Sequence, residues 1–293
     1  MFDLGGATLD RIIDLDPFRL PLRFLMPAAD IEAIRPHRGL LEPHHVDFAT
    51  QEVLLGLHSL VLRTGGLTIL IDTCVGEHKP RPRRADWHER AATGYLERLA
   101  EAGIAPGDVD IVLCTHLHAD HVGWNTRLEN GRWVPTFPNA RYLIGKTELA
   151  HWQEEEARDP GRHNHGAFTD SVLPVVEAGL VETVEDGFEL AAGARLIGLP
   201  GHSPGQIGLC LDCGKGGQAF FCGDVVQSPV QVIRTDWSSQ FCSDPALASR
   251  TRVDLFGRAM DAGSLVIPAH LRHAGGMRIG QRHGDGFLPE FVS

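Results

Sequence analysis

No stretch of the 293-residue chain approaches the ~20 consecutive apolar residues that a membrane-spanning helix needs. With 43% hydrophobic and 22% charged residues, the sequence predicts a soluble globular protein with no membrane partner. Positive charge is in deficit too: the formal net charge is -11, so the basic stripe of a nucleic-acid-binding surface is missing. The opening MFDLGGATLDRIIDLD has no basic segment followed by a continuous apolar one, because Asp3 and Asp10 interrupt it. A secretory leader is therefore not expected there, and cytoplasmic residence is the default. Internal repeats, low-complexity tracts and shifts of composition are lacking, so a single domain over residues 1–293 is expected. The cysteine pair Cys210/Cys213 has no second pair to complete a zinc knuckle. Together with Cys74, Cys114, Cys222 and Cys242 it reads as buried packing.

The segments that are present alternate in type. LGLHSLVLRTGGLTILIDT, residues 55–73, is two β-rich runs around Gly65-Gly66, a hairpin signal. WHERAATGYLERLAEAGI, residues 87–104, has helical spacing in Tyr95, Leu96, Leu99 and Ile104, and APGDVD stops it before the strand DIVLCT. ARYLIG follows as a strand, KTELAHWQEEEA as a helix, and TDSVLPVVEAG as another helix despite Pro174. Then come strands near 181–190 and 194–199, a hairpin in QIGLCLDCGKGGQAFFCGD, a helix from about Pro245 to Ala262, and SLVIPAH as the last strand. Runs of strands with helices between them predict an α+β chain, two sheets face to face with helices outside.

Four sequence-distant positions share one setting, a histidine or aspartate just past the end of an apolar run. IVLCT delivers His116, ARLIGLPG delivers His202, QAFFCG delivers Asp224 and SLVIPA delivers His270. Loops at strand ends carry function on a rigid scaffold. The first of them opens the string THLHADH, which packs His116, His118, Asp120 and His121 into six positions. His116 and His118 are two apart and point the same way in extended backbone, while Asp120 and His121 fall where the chain turns. That split fits two ions side by side: His116, His118 and His202 on one, Asp120, His121 and His270 on the other, with Asp224 bridging. Imidazole and carboxylate are donors that zinc prefers, and a catalytic site keeps a position open for water. Manganese, iron or cobalt accept the same donors. Any one of these residues alone reads as a strand-end hydrogen bonder; the set points to a dinuclear site.

THLHADH, GHSPGQ, GD and the late PAH resemble, in order and spacing, the metal motifs of the metallo-β-lactamase-fold hydrolases. LIDT with Asp72 looks like the acidic strand-end element that precedes them, and the resemblance covers about residues 55–275. It implies an αββα sandwich of mixed sheets with a dinuclear centre, usually zinc, on its edge, and Asp72 supporting the metal loops rather than binding metal. A core over about residues 51–275 then follows an N-terminal extension or lid over about residues 1–50. FPNARYLIGKTELAHW and the C-terminal run from GDVVQSP to FLPEF are similar to the branch that holds methyl parathion hydrolase and related lactonases, which also implies a homodimer. Trp124 departs from the family pattern, standing where many members carry a second glycine after DHVG.

Two divalent ions ~3.5–4 Å apart can share a water and lower its pKa, so that hydroxide is available near neutral pH. The resulting expectation is a hydrolase that opens a lactone or cleaves a small carboxylic ester, with phosphotriester cleavage as a side activity. Asp120 would orient the hydroxide and hand a proton to the leaving group. A β-lactamase or a thioesterase of the glyoxalase II kind is the alternative within the fold, and a metal-holding sensor or scaffold without turnover the alternative outside it. Ser203 in GHSPG lacks the G-x-S-x-G frame and belongs to the turn. Asp72 and Thr115 are candidates to fix imidazole tautomers. Trp124, Trp237 and His273 are candidate walls of an apolar pocket for an uncharged small molecule, and PLRFLMPAAD a candidate lid. KPRPRR, Lys79 to Arg84, reads as a solvated loop or, functionally, an anion-steering rim. His44, His45, His163 and His165 read as surface loops.

Overall fold

Leu67–Ile71, apolar but for Thr68, and Ile111–Cys114, apolar throughout, lie side by side as parallel strands, with Ile71 opposite Leu113. Continuous apolar runs of this kind belong to strands covered on both faces. The computed structural model that contains them describes every residue except Asp285, with Lys215 described by its backbone alone. Two compact units make up the chain: unit 1 holds Met1 and residues 7–15 and 57–186, and unit 2 holds residues 2–6, 16–56 and 187–293.

The sheet of unit 1 runs, in spatial order, β1 (Thr8–Pro21), β2 (Glu52–Thr64), β3 (Leu67–Ile71), β4 (Ile111–Cys114), β5 (Arg141–Gly145) and β6 (Val181–Val184). Strand β1, which the sequence placed in an N-terminal extension, continues past Leu15 into unit 2, as does the start of β2. The hairpin around Gly65-Gly66 forms, with Thr64 opposite Leu67 and both glycines at positive φ. The helix expected over 87–104 is shorter, α1 (Tyr95–Glu101). Glu89, Ala92 and Gly94 sit at φ 46°, 52° and 73°, left-handed values that cannot continue a right-handed helix upstream. Helix α2 (Lys146–Arg158) turns Glu148, Leu149 and Trp152 inward. In TDSVLPVVEAG a π-helical turn, Phe168–Val172, leads into an α-turn, Leu173–Glu177. Pro174 stands at the start of that turn, where its missing N–H has no helical acceptor to lose.

Unit 2 carries a second sheet whose spatial order again follows the sequence: β7 (Glu189–Ala191), β8 (Ala194–Gly198), β9 (Ile207–Asp212), β10 (Gln218–Gly223), β11 (Leu265–Pro268), β12 (Gly276–His283) and β13 (Gly286–Val292). All neighbours are antiparallel except β10 and β11, which are parallel. SLVIPAH is therefore not the last strand. Met277 and Ile279 alternate inward along β12, and the backbone turns at Gly284, next to the undescribed Asp285. Helix α3 (Pro245–Ala262) starts on Asp244, whose Oδ1 accepts from Leu247 N at 2.8 Å, and ends on left-handed Gly263. It buries Ala248, Arg252, Leu255, Phe256 and Ala259, and Leu255, Phe256 and Ala259 join Phe220, Val266, Met277 and Phe287 in the core of unit 2. The chain is thus α+β, with mixed sheets and flanking helices. No helix among the described residues is long and apolar enough to cross a membrane.

Candidate metal centre

Because β3 and β4 are parallel and in register, their C-terminal ends release Asp72 and Thr115 side by side. Asp72, at φ 57°, accepts at Oδ1 from Thr115 N and at Oδ2 from Thr115 Oγ1, both at 2.8 Å. Its Oδ2 also lies 2.9 Å from His121 Nδ1. The Thr115 hydroxyl hydrogen is committed to Asp72, so Thr115 Oγ1 accepts from His116 Nδ1 at 3.1 Å. Both His116 and His121 therefore carry their proton on Nδ1 and present the Nε2 lone pair. Their rings lie 4.0 Å apart, with His118 a further 4.6 Å from His116. Asp120 brings Oδ1 to 3.8 Å from His121 Nε2.

Unit 2 arranges His202, Asp224 and His270 by the same device. Gly201 sits at φ 127° with no room for a side chain, since a Cβ there would lie 2.3 Å from Ala248 N at the start of α3. Ser243 N donates to His202 O at 2.9 Å, and the Cys242 thiol lies 3.6 Å from His202 Nδ1. The parallel strands β10 and β11 release Asp224 and His270 at neighbouring ends. His270 Nδ1 donates to Gly56 O at 3.0 Å and Gly56 N returns a bond to His270 O at 3.1 Å. Asp224 lies between the two histidines, Oδ1 at 3.1 Å from His270 Nε2 and Oδ2 at 3.3 Å from His202 Nε2. Gln227 Nε2 donates to the same Oδ2 at 3.0 Å. Among the described residues, the imidazoles and carboxylates grouped so that they could hold a metal ion are His116, His118, Asp120 and His121 in unit 1 and His202, Asp224 and His270 in unit 2.

Several other sequence-based candidates have different roles. Trp124 is buried and stacks on Tyr95 at 4.9 Å, so it packs the interior of unit 1 rather than lining an open wall. Trp237 is likewise buried, in unit 2, with the Arg234 guanidinium 4.6 Å over its ring. His273 is exposed and lies 3.9 Å from the ring of His44. Within PLRFLMPAAD, Leu22, Leu25 and Met26 are buried and Phe24 is exposed. His45 is not a surface residue: it is buried against Phe291 at 4.6 Å, and burial lowers its pKa to about 3. The KPRPRR segment is not a solvated loop either, because Lys79 and Arg81 are each 0% exposed. Arg81 makes a two-pronged pair with Asp170 at 2.6 and 2.7 Å. Lys79 donates to Thr126 Oγ1 at 2.6 Å and Asp170 O at 3.1 Å, and sits 3.5 Å above the Trp133 ring. Cys242, which the sequence assigns to buried packing, is half-buried beside His202, and Gln227 is not singled out by sequence at all; no spacing rule announces their contacts with His202 and Asp224.

The sequence profile of the metallo-beta-lactamase superfamily matches residues 55–270. The chain belongs to that superfamily. The matched span runs from β2 to His270 and so includes all seven candidate ligands. Within the superfamily the chain is 25% identical over 126 residues to an N-acyl homoserine lactonase of Bacillus thuringiensis, covering 43% of this chain and 42% of that protein. It is 38% identical over 169 residues to metallo-beta-lactamase domain-containing protein 1 of Xenopus laevis, covering 58% and 54% respectively. The matches therefore span about half the length of these relatives, or less. Among solved structures, AidC, a dizinc quorum-quenching lactonase in complex with a product, superposes with a TM-score of 0.80 at 18% identity, covering 100% of this chain and 96% of that one. That likeness is one of fold.

Proposed function

We propose that the chain is a dinuclear-metal hydrolase that opens a lactone or cleaves a small carboxylic ester. The observation that carries this reading is the posture of Asp224. The Gly56 carbonyl can only accept, so His270 carries a proton on Nδ1, and in the neutral imidazole the Nε2 lone pair faces Asp224 Oδ1 at 3.1 Å. Two acceptors at that distance repel unless a positive charge joins them. Its other oxygen, Oδ2, lies 3.3 Å from His202 Nε2, and a carboxylate placed between two imidazoles suits one serving two cations. The donor set of five imidazoles and two carboxylates fits zinc or another divalent ion of similar preference. We assign His116, His118 and His202 to one ion and Asp120, His121 and His270 to the other, with Asp224 shared.

When bound, such a pair of ions acidifies a water and polarises a carbonyl or phosphoryl oxygen. The chain's own residues do the rest. Asp72 and Thr115 lock the tautomers of His116 and His121, and Gly56 that of His270. Asp120, half-buried at the edge of the His cluster, takes the proton of the attacking water on a carboxylate oxygen and passes it to the leaving alkoxide. A lactone is supported by the similarity to the Bacillus N-acyl homoserine lactonase and to the lactonase AidC; an open-chain ester presents the same acyl–oxygen bond, and a phosphotriester is a side substrate because the same nucleophile can attack phosphorus.

Metal content and an initial-rate panel test the proposal. Two ions per chain are expected, with activity lost on chelation and restored by zinc or manganese. The panel compares acyl-homoserine and aliphatic lactones, aryl esters, a phosphotriester, a cephalosporin and a glutathione thioester. Fewer than two ions, or rates untouched by chelation, refute the dinuclear centre. Turnover of the cephalosporin or thioester with inert lactones and esters refutes the substrate class.

A further inference from the structure

In unit 1 the string HLHADH alternates candidate ligands with two spacers, Leu117 and Ala119. The backbone of each spacer is held by a side chain from a distant segment of the same unit. Leu117 N donates to Glu148 Oε1 of α2 at 3.0 Å, and Leu117 O accepts from Asn164 Nδ2 at 2.6 Å. Ala119 N donates to Asn164 Oδ1 at 2.9 Å. One orientation of the Asn164 amide satisfies both partners, because one is a carbonyl and the other an N–H. Glu148 Oε1 also accepts from Trp152 Nε1 at 2.7 Å, and the Trp152 ring lies 5.6 Å from that of His118.

Asn164 and His165 both adopt left-handed backbone, φ 47° and 57°. Two successive residues of this kind persist only where the surroundings fix them. Arg81 supplies that restraint: its Nη1 donates to His165 O at 3.1 Å while its guanidinium is clasped by Asp170. The buried Arg81–Asp170 pair has no part in the proposed chemistry, yet it fixes the turn from which Asn164 reaches the spacers.

We propose that Asn164 and Glu148 are positioning residues that clamp the metal loop at its spacers, with Asn164 set in place by Arg81 and Asp170. The proposal rests on the dinuclear reading for its effect on metal. The clamp itself orders the backbone at Leu117 and Ala119 whether or not metal is bound, so His116, His118 and Asp120 are presented ready-made.

Asn164→Gly is the decisive variant. Glycine adopts the left-handed conformation without strain, so the turn is kept while both side-chain bonds vanish. Glu148→Gln keeps the Oε1 acceptor and Glu148→Ala removes it. The readouts are amide hydrogen exchange at Leu117 and Ala119, and the rate at which a chelator withdraws zinc from the loaded protein. Outer partners of metal ligands typically contribute ~10–100-fold to affinity. Asn164→Gly is expected to speed zinc withdrawal on that scale and raise exchange at Ala119, with exchange in β3 and β4 unchanged. Glu148→Ala does the same at Leu117, and Glu148→Gln stays close to wild type. Wild-type rates at Ala119 and for zinc in Asn164→Gly overturn the proposal, as does Glu148→Gln behaving like Glu148→Ala. If the unaltered protein binds fewer than two zinc ions, the dinuclear reading falls. The clamp then stands or falls on amide exchange in the metal-free protein.

Discussion

Asp170→Ala removes the carboxylate that clasps Arg81 inside unit 1. Its oxygens accept from Arg81 Nη1 and Nη2 at 2.6 and 2.7 Å and from Ser171 Oγ at 2.6 Å. Arg81 is 0% and Asp170 4% exposed. A solvated pair of this type contributes only ~0–1 kcal/mol. Here the variant strands a buried guanidinium, and arginine cannot shed its proton to escape the penalty. The expected loss is therefore roughly 3–5 kcal/mol. At ~2–4 °C of melting temperature per kcal/mol for a unit of this size, the shift is on the order of 10 °C. Arg81→Met combined with Asp170→Leu removes both charges and is expected to be less damaging than Asp170→Ala alone, since replacing a whole buried pair with apolar groups is often neutral. Thermal unfolding by circular dichroism at pH 7 and fixed salt compares the three proteins. A loss under ~1 kcal/mol for Asp170→Ala, or a double variant less stable than the single one, would refute the reasoning.

Three further outcomes are expected. Asp224→Ala should keep the fold but lose the carboxylate proposed to be shared, so metal analysis finds fewer than two ions per chain and hydrolysis nearly vanishes; full activity removes Asp224 from the site. Gly123→Ala places a Cβ 1.9 Å from the Val75 carbonyl, which forces backbone movement and should destabilise by roughly 1–3 kcal/mol or more in urea titrations; an unchanged midpoint contradicts the close approach. Burial lowers the Lys79 amine from 10.5 to about 7. Between those values the unfolded chain binds more protons than the folded one, so this residue makes stability rise with pH there, by up to ~1.4 kcal/mol per pH unit. Urea midpoints taken across that window should climb in the wild type and climb less in Lys79→Met, and parallel curves would show that Lys79 is not the titrating group.

The parts of the molecule that were legible in advance are those where local pattern and structure coincide. Strand ends such as LIDT, IVLCT and SLVIPAH are visible because apolar runs of three to five residues stop at a polar one. Helix α3 was readable from Pro245 to Ala262 because its inward residues repeat at helical spacing between an Asp cap and a Gly stop. KPRPRR was not readable, since whether Lys79 and Arg81 are solvated depends on Asp170, about ninety residues away. Likewise Glu148 looks like any surface acid of KTELAHWQEEEA until Leu117 is seen to donate to it. Strands β12 and β13 were missed although a signal existed, the alternation of Met277 and Ile279 ahead of the turn residues HGDG. Residues 87–93 resembled a helix because composition carries no mark of the positive φ at Glu89 and Ala92.

The loop that follows Asp72 and the loop that follows His121 cross without any side chain between them. A Cβ on Gly76 would lie 2.8 Å from Gly123 C, and one on Gly123 1.9 Å from Val75 C and O. Gly123 N and Trp124 N also donate to Cys74 O and Thr73 O, each at 2.7 Å. Two main chains welded in this manner cannot be exchanged one at a time. Anyone grafting the HxHxDH loop of another superfamily member onto this scaffold must move residues 72–76 and 121–124 together as one cassette. Trp124 belongs to the graft as well, since the crossing decides where its ring meets Tyr95.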